Sequence, residues 1–342
     1  MKRLAMALVL LAVFGLTRAE AVPVHDQQGR TVTLPGKVSK VLGASAPVTF
    51  LVYSIDPSLL VGLNLPPDEA QRRFLRPETM KLPVIGGFGG QGRNFNPEVL
   101  LAARPDLVLA WGPAPKGLNP RAEKTLASSG IPYLFLTLDR MSDYPAAYEY
   151  LGAILGRPER ARMLANYFRK EVKKLERFSA RIPARQRVPV YFAEEADGLT
   201  TVSAGSVHGE AVQLAGGRNV HRGASGGGRF KEKISLEQVL AYDPEVIIAQ
   251  DETFFERVYR DPRWSGIRAV RNRRVYLIPD APFEWMDRPP TFLRLLGAKW
   301  LASVLYPRSY RADLSADTRE FYQLFFKVNL DSGEVRKILH QK

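Results

Sequence analysis

Apolar and polar positions fall in the same order in two stretches of this chain. From Phe95 to Ala110 the order is a polar cap (Asn96), a glutamate (Glu98), a short apolar run, a proline (Pro105), an acid (Asp106) and four apolar residues. From Ile234 to Ala249 it recurs without a gap, with Ser235, Glu237, Pro244 and Glu245 in the matching places. Asn96 and Ser235 are strong N-cap residues, and Pro97 suits a first helical position. Glu98 and Glu237 then fall in a first turn, where the helix dipole favours a carboxylate. Pro105 and Pro244 end each helix, and 107–110 and 246–249 read as continuous apolar strands, buried on both faces as in a parallel sheet. One duplicated helix–strand unit predicts two similar α/β lobes.

Further apolar runs fill out both lobes. Strands are predicted at 38–42, 107–110 and 133–137 in the first, and at 188–193, 200–202, 246–249 and 275–278 in the second. A helix begins at 48–53. Between the lobes, 158–182 is one helical stretch with Met163, Leu164, Tyr167, Val172 and Leu175 on its apolar stripe, Pro158 at its start and Pro183 after its end. A single long helix between two α/β lobes acts as a stiff strut. The expected division is 1–21 signal peptide, 22–157 first lobe, 158–183 interlobe helix and 184–342 second lobe. The fold class is α/β, two Rossmann-like lobes with mainly parallel sheets.

The start of the chain bears on the compartment. Lys2 and Arg3 precede an apolar run over 4–16, and Ala19 and Ala21 sit where a cleavage site needs small residues. This is the layout of a secretory signal peptide, with an apolar run too short to span a bilayer comfortably. The mature chain is expected from about Val22. No cysteine is present, which excludes disulfides, thiolate metal sites and a lipidated N-terminal cysteine. A periplasmic, unlipidated, monomeric protein is expected.

Charge adds less. The formal net charge is +14, but the basic residues are dispersed, densest at 181–187 and 268–274. No recognition helix, zinc finger or aromatic RNA-binding pattern accompanies them, so a solvated surface is the reading and nucleic acid is not an expected partner. The run Gly87 to Gly92 matches G-x-G-x-x-G, yet lacks a strand directly before it and a helix opening within it, so no dinucleotide site follows. There is no G-x-S-x-G elbow and no H-E-x-x-H. Glu194, Glu195 and Asp197 could form the acid pair of an exported hydrolase. Neighbouring strand residues point to opposite faces, however, so they read as a solvated strand end.

In open parallel α/β lobes, ligands bind beyond the carboxyl ends of the strands. In the first lobe these loops carry Ser45, Phe88, Arg93 and Trp111; in the second, His208, Arg229, Phe230, Trp285 and Arg288. Guanidinium groups suit carboxylate, catecholate or oxyanion ligands, and aromatic faces suit flat chelates. Each arginine also fits a surface ion pair, with Asp287 able to fix Arg288. His208 is a metal-ligand type at an expected helix start, but His25, His221 and His340 lie far off in sequence. Direct metal ligation is therefore not expected, and a metal would arrive already complexed.

The chain resembles the periplasmic substrate-binding proteins of ABC importers for iron complexes and vitamin B12, in which one helix spans two lobes. The resemblance rests on His25-Asp26 through Gly29 to Val32, on Leu82 to Gly86, on the two glutamate–helix–proline–strand units, and on Ala215 to Asn219. Trp285 to Pro290 and Gly297 to Pro307 are similar to a subgroup associated with metal ions and metal oxyanions. The resemblance implies a receptor without chemistry or cofactor of its own. It would take a ferric siderophore first, with cobalamin or haem open, and molybdate, tungstate or a nickel complex as the alternative. It also implies that Glu98 and Glu237 meet arginines of the importer's membrane subunits.

Overall fold

A computed structural model gives the fold; it describes residues 21–88, 95–112, 118–223 and 231–341. The signal segment, Arg93, Arg229 and Phe230 lie outside these. The chain opens with an antiparallel hairpin, β1 (Val22–His25) and β2 (Thr31–Leu34). The buried Asp26 closes its turn by accepting from the Gln28 and Arg30 N–H groups, and ties it to the first lobe by accepting from Phe135 N at 3.2 Å.

The first lobe continues through β3 (Val41–Gly43), α1 (Ala46–Ile55), α2 (Pro77–Met80), α3 (Pro97–Ala103), β4 (Leu107–Trp111), α4 (Pro120–Ser129), β5 (Tyr133–Leu136) and α5 (Tyr144–Ile154). Its sheet is parallel in the order β3-β4-β5. Then comes α6 (Pro158–Ala180), the strut. The second lobe holds β6 (Pro189–Ala193), β7 (Thr200–Thr201), α7 (Glu210–Leu214), β8 (Arg218–Asn219), β9 (Glu232–Lys233), α8 (Leu236–Tyr242), β10 (Val246–Ala249), α9 (Glu252–Arg257), α10 (Arg268–Arg271) and β11 (Val275–Leu277). Its main sheet is parallel in the order β11-β10-β6-β8. The chain ends in α11 (Arg294–Leu305), α12 (Leu314–Phe326) and α13 (Ser332–Ile338).

The repeat extends to the helix caps. Asn96 Oδ1 accepts from the Glu98 and Val99 N–H groups, and Ser235 Oγ from Gln238 N–H. Both helices end on a left-handed residue, Arg104 at φ 46° and Asp243 at φ 36°, one step before the proline. That residue turns the chain, and proline then forbids a further helical turn.

Period-two alternation divides the core into three. Val41, Leu107, Leu109, Leu134 and Leu136 of the first sheet share one cluster with Val190, Phe192, Val246 and Ile248 of the second. The intervening residues face private clusters: Leu42, Val108, Ala110 and Phe135 in one lobe, Tyr191, Ala193, Ile247 and Ala249 in the other. Each sheet therefore turns one face to its own helices and the other to a core common to both lobes.

Helix α6 runs through that common core. Leu164, Tyr167, Val172 and Leu175 are buried, whereas Met163, expected on the stripe, is 56% exposed. Phe168 stacks on Tyr144 at 4.8 Å and meets Phe325 edge-on. The buried Lys299 on α11 reaches Glu171 on α6 at 2.8 Å and Asp317 on α12 at 2.9 Å. The range 184–342 expected as second lobe includes helices that cross back. Phe326 of α12 packs near Tyr53, Phe325 near Tyr148, and Arg73 pairs with Glu334 of α13 at 2.6 Å. The tail clamps the first lobe.

A core common to both lobes makes them unfold together. Calorimetry should show one transition, and Phe168→Ala should lower stability by roughly 3–5 kcal/mol while keeping it single. Two separated transitions in the wild type would contradict the common core.

Candidate functional site

The order β11-β10-β6-β8 reverses direction at one place. From β6 the chain goes out to β8, then returns to the far side of β6 for β10. The crevice at the carboxyl ends of β6 and β10 is therefore a topological switch point, where neighbouring loops part and leave room for a ligand. The residues immediately after those two strands are Glu194 and Gln250.

Both carry a polar network. Glu194 is fully buried. Its carboxylate accepts from Arg288 Nη2 at 3.2–3.3 Å and faces Lys231 Nζ at 3.3 Å. Arg288 Nε lies 2.9 Å from Asp287 Oδ2, and the other oxygen of Asp287 meets His208 Nδ1. That Nε–Oδ2 approach is an ion pair without hydrogen-bond geometry, and Arg288 Nη1 likewise makes no hydrogen bond among the described residues. Gln250 donates to Glu284, whose carboxyl also accepts from the Met286, Asp287 and Arg288 N–H groups, fixing the loop that carries the arginine. Burial pushes the Glu284 carboxyl up to about 7, the nearby Glu194 carboxylate adding to the rise and the backbone donors opposing it. The turn after Glu194 needs a glycine: Gly198 sits at φ 70°, and a Cβ there would lie 2.2 Å from the Phe254 ring.

In the first lobe the expected residues Ser45 and Trp111 stand at the carboxyl ends of β3 and β4. Ser45 follows β3 at the start of α1, and its buried Oγ has no hydrogen-bond partner among the described residues. Trp111 ends β4, half-buried against the common core. The lobes meet where Glu210 accepts from Met141 N at 3.0 Å and pairs with the buried Arg294 at 3.1 Å. Burial raises the Glu210 carboxyl above its usual range. A groove of about 570 Å³ opens beside this seam, lined by Asp139, Arg140, Ser206, Val207 and Glu210, and lies against Glu176 and Ser179 of α6. It shares the 204–210 loop with the polar network but not Arg288.

The structure redistributes the expected site residues. His208 and Arg288 come together through Asp287, as the sequence allowed for the arginine. His208 lies in the turn before α7 rather than at a helix start. Phe88 does not line a cleft: it is fully buried, 4.5 Å from Phe95 in the first lobe's private core. Trp285 is also a core residue, its Nε1 donating to Ala281 O and Tyr322 Oη. Glu194 is not part of a solvated strand end, being buried 3.3 Å from Lys231, whereas Glu195 is exposed as expected and pairs with the same lysine at 3.0 Å. Glu195 turns back because it takes a positive φ, 64°, breaking the strand alternation. The sequence reading missed Glu194, Gln250, Glu284 and Lys231 as site residues. The available signal was a polar residue directly after each of two buried strands. Among the described residues no group of three or more metal-ligating side chains is assembled.

Comparison with known proteins bears on this arrangement. A family model described as periplasmic binding protein matches residues 88–282. A solved ABC transporter solute binding protein from Sulfurospirillum deleyianum is similar over 92% of this chain and 98% of that one, with 38% identity and a TM-score of 0.86. The molybdate-binding protein of Haemophilus influenzae is 25% identical over 90% of this chain and 91% of its own length. A vitamin B12-binding protein of Yersinia pestis is 29% identical over 70% of this chain and 78% of its own.

The Glu284 carboxyl makes a pH prediction. Its folded value, about 7, lies above the ordinary 4.5. Between those values the folded chain keeps a proton that the unfolded chain has lost. Stability therefore falls as pH rises from about 4.5 to about 7, by on the order of 3 kcal/mol, and is level above. Glu284→Gln cannot titrate and should lose that slope, whatever its absolute stability. Urea unfolding at pH 5 and pH 8 would show it; equal slopes in both proteins would contradict the assignment.

Proposed function

We propose, from the premise that this chain belongs to the periplasmic binding protein family, that it captures a metal-containing ligand between its lobes and delivers it to the membrane subunits of an ABC importer. Its relatives are binding proteins rather than enzymes. The observation that carries the ligand reading is Arg288, held at the switch point by ion pairs with Glu194 and Asp287 and with its Nη1 unengaged among the described residues. A guanidinium fixed in advance loses little freedom on binding and offers paired donors to an oxygen-rich anion.

A ferric siderophore is the first reading within this class, with cobalamin and haem beside it. A metal oxyanion of the molybdate type is the second, and one specific observation favours it. Phe88 and Trp285, counted for a flat chelate, are both packed in cores, which leaves Trp111 as the described aromatic at the strand ends. The molybdate-binding relative also aligns over nearly the whole chain. Ser45, whose hydroxyl has no partner among the described residues, is the first-lobe contact we assign, and the lobes we propose at 22–157 and 184–342 share the tail helices α12 and α13. Arg93 and Arg229 remain proposed contacts outside the described residues.

Delivery rests on Glu98 and Glu237. A helix that leads into a strand of a parallel sheet runs opposite to it, so α3 and α8 begin at the carboxyl edges of the sheets, the edge where the ligand loops lie. Both glutamates are exposed in those first turns. No helix among the described residues is long and apolar enough to cross a membrane. Export through removal of residues 1–21 supplies the compartment.

Elemental analysis of natively purified protein should find about one equivalent of iron, molybdenum or tungsten, or cobalt. Arg288→Ala should weaken binding of sodium molybdate or a ferric tris-catecholate, followed by tryptophan fluorescence, by tenfold or more, consistent with about 1.5–3 kcal/mol for a charged hydrogen bond. Binding unchanged by that substitution would remove the arginine from the site. Mass spectrometry of the exported protein should place its first residue at Val22.

A further inference from the structure

Five large apolar side chains are exposed among the described residues: Val22, Leu65, Leu101, Met163 and Leu240. A single exposed leucine means nothing, since folded surfaces carry many apolar atoms. Two of these five, however, occupy the same position of the repeat. Leu101 stands three residues after Glu98 on α3, 47% exposed, and Leu240 three residues after Glu237 on α8, 39% exposed. Residues three apart share one helix face, so each lobe presents a carboxylate and a leucine side by side.

The neighbouring positions show that this is not loose packing. Leu100 and Val239, one residue before each leucine, are fully buried and pin their helices to the private core of each lobe. Both helices are held by the same two caps, so the leucines are presented outward on fixed backbones. The carboxylates are unengaged too. In a chain with 49 basic against 35 acidic residues, neither Glu98 nor Glu237 forms an ion pair among the described residues; Glu237 is held only by its own cap, through Ser235. An exposed anion beside an exposed apolar side chain, repeated once per lobe, calls for a partner that supplies a cation and a shallow apolar seat, twice.

We infer that Leu101 and Leu240 are apolar anchors of a two-point dock, and that their occupant is the pair of like surfaces presented by the importer's membrane subunits. This rests on the delivery reading above and adds to it the residues that hold the complex once charge has brought it together. The division of labour is physical. Exposed carboxylates act over about a Debye length, roughly 8–10 Å, and are weakened by salt. Buried leucines act only on contact, are insensitive to salt, and slow dissociation.

The test compares three proteins: wild type, Leu101→Gln with Leu240→Gln, and Glu98→Lys with Glu237→Lys. Glutamine keeps helix propensity and approximate size, and thermal melting checks that each variant folds. Binding is measured to the importer's membrane and ATPase subunits from the same organism in nanodiscs, between 50 and 300 mM salt (on the order of a twofold change in screening length). The expected result is that the glutamine pair weakens binding about ten- to a hundredfold through faster dissociation, with the salt dependence retained. The lysine pair should slow association and abolish or invert that dependence. If the lysine pair weakens binding and the glutamine pair does not, the leucine anchors are overturned while delivery through the glutamates stands. If neither changes binding, the delivery reading itself falls. Two further outcomes overturn the assigned occupant: wild-type self-association that the glutamine pair dissolves, or equal wild-type binding to empty nanodiscs.

Discussion

Besides a private core of its own, each lobe shares a third interior with the other. Because successive strand residues point to opposite faces, each sheet has an inner set of side chains, and the two inner sets merge around α6, α11 and α12. Everything else is arranged about that merged interior. Opening the lobes widely would expose Phe168, Phe292, Phe325 and the inner strand residues to water, at a cost of roughly 25 cal/mol for each Å² of apolar surface. Motion that leaves this region intact is confined to the rim loops. A shared interior of this kind resists wide separation of the lobes.

Resistance of that kind suits the charge network at the switch point. A buried cluster of acids and bases is costly unless each member is paired, and here two of the pairings join different strand ends. Glu194 follows β6, Gln250 follows β10, and Glu284, Asp287 and Arg288 belong to the loop after β11. Three separate strand ends are thereby held to one another. Topology brings these loops to the switch point, and the polar contacts tie them together there.

The architecture was largely legible because it is written in short-range patterns. The repeated cap, glutamate, proline and apolar strand at 95–110 and 234–249 predicted two lobes, and the stripe from Leu164 to Leu175 predicted the strut. The candidate site was less legible, for a physical reason. Whether an aromatic in a loop faces a cleft or fills a core depends on distant partners: Phe88 meets Phe95 only because the loop folds back, and Trp285 needs Tyr322 from α12. Glu194 looked solvated because its partner Arg288 is 94 positions away. Nor does periodicity show where a helix docks, so α12 and α13 could be assigned to the second lobe by order alone. Charge pairing and aromatic packing at long sequence separation leave no local trace.

The returning tail bears on how such a chain is assembled. Helices α1 and α5 of the first lobe are covered by α12, contributed by residues more than 150 positions later, and Arg73 finds Glu334 only in the last turns of the chain. A polypeptide that emerges amino-end first thus presents its first lobe with an uncovered flank until α12 and α13 have been made. Such non-local closure delays the committed native state. Until those helices arrive, the apolar flank of α1 and α5 stays open to water, the condition in which a chain aggregates most readily.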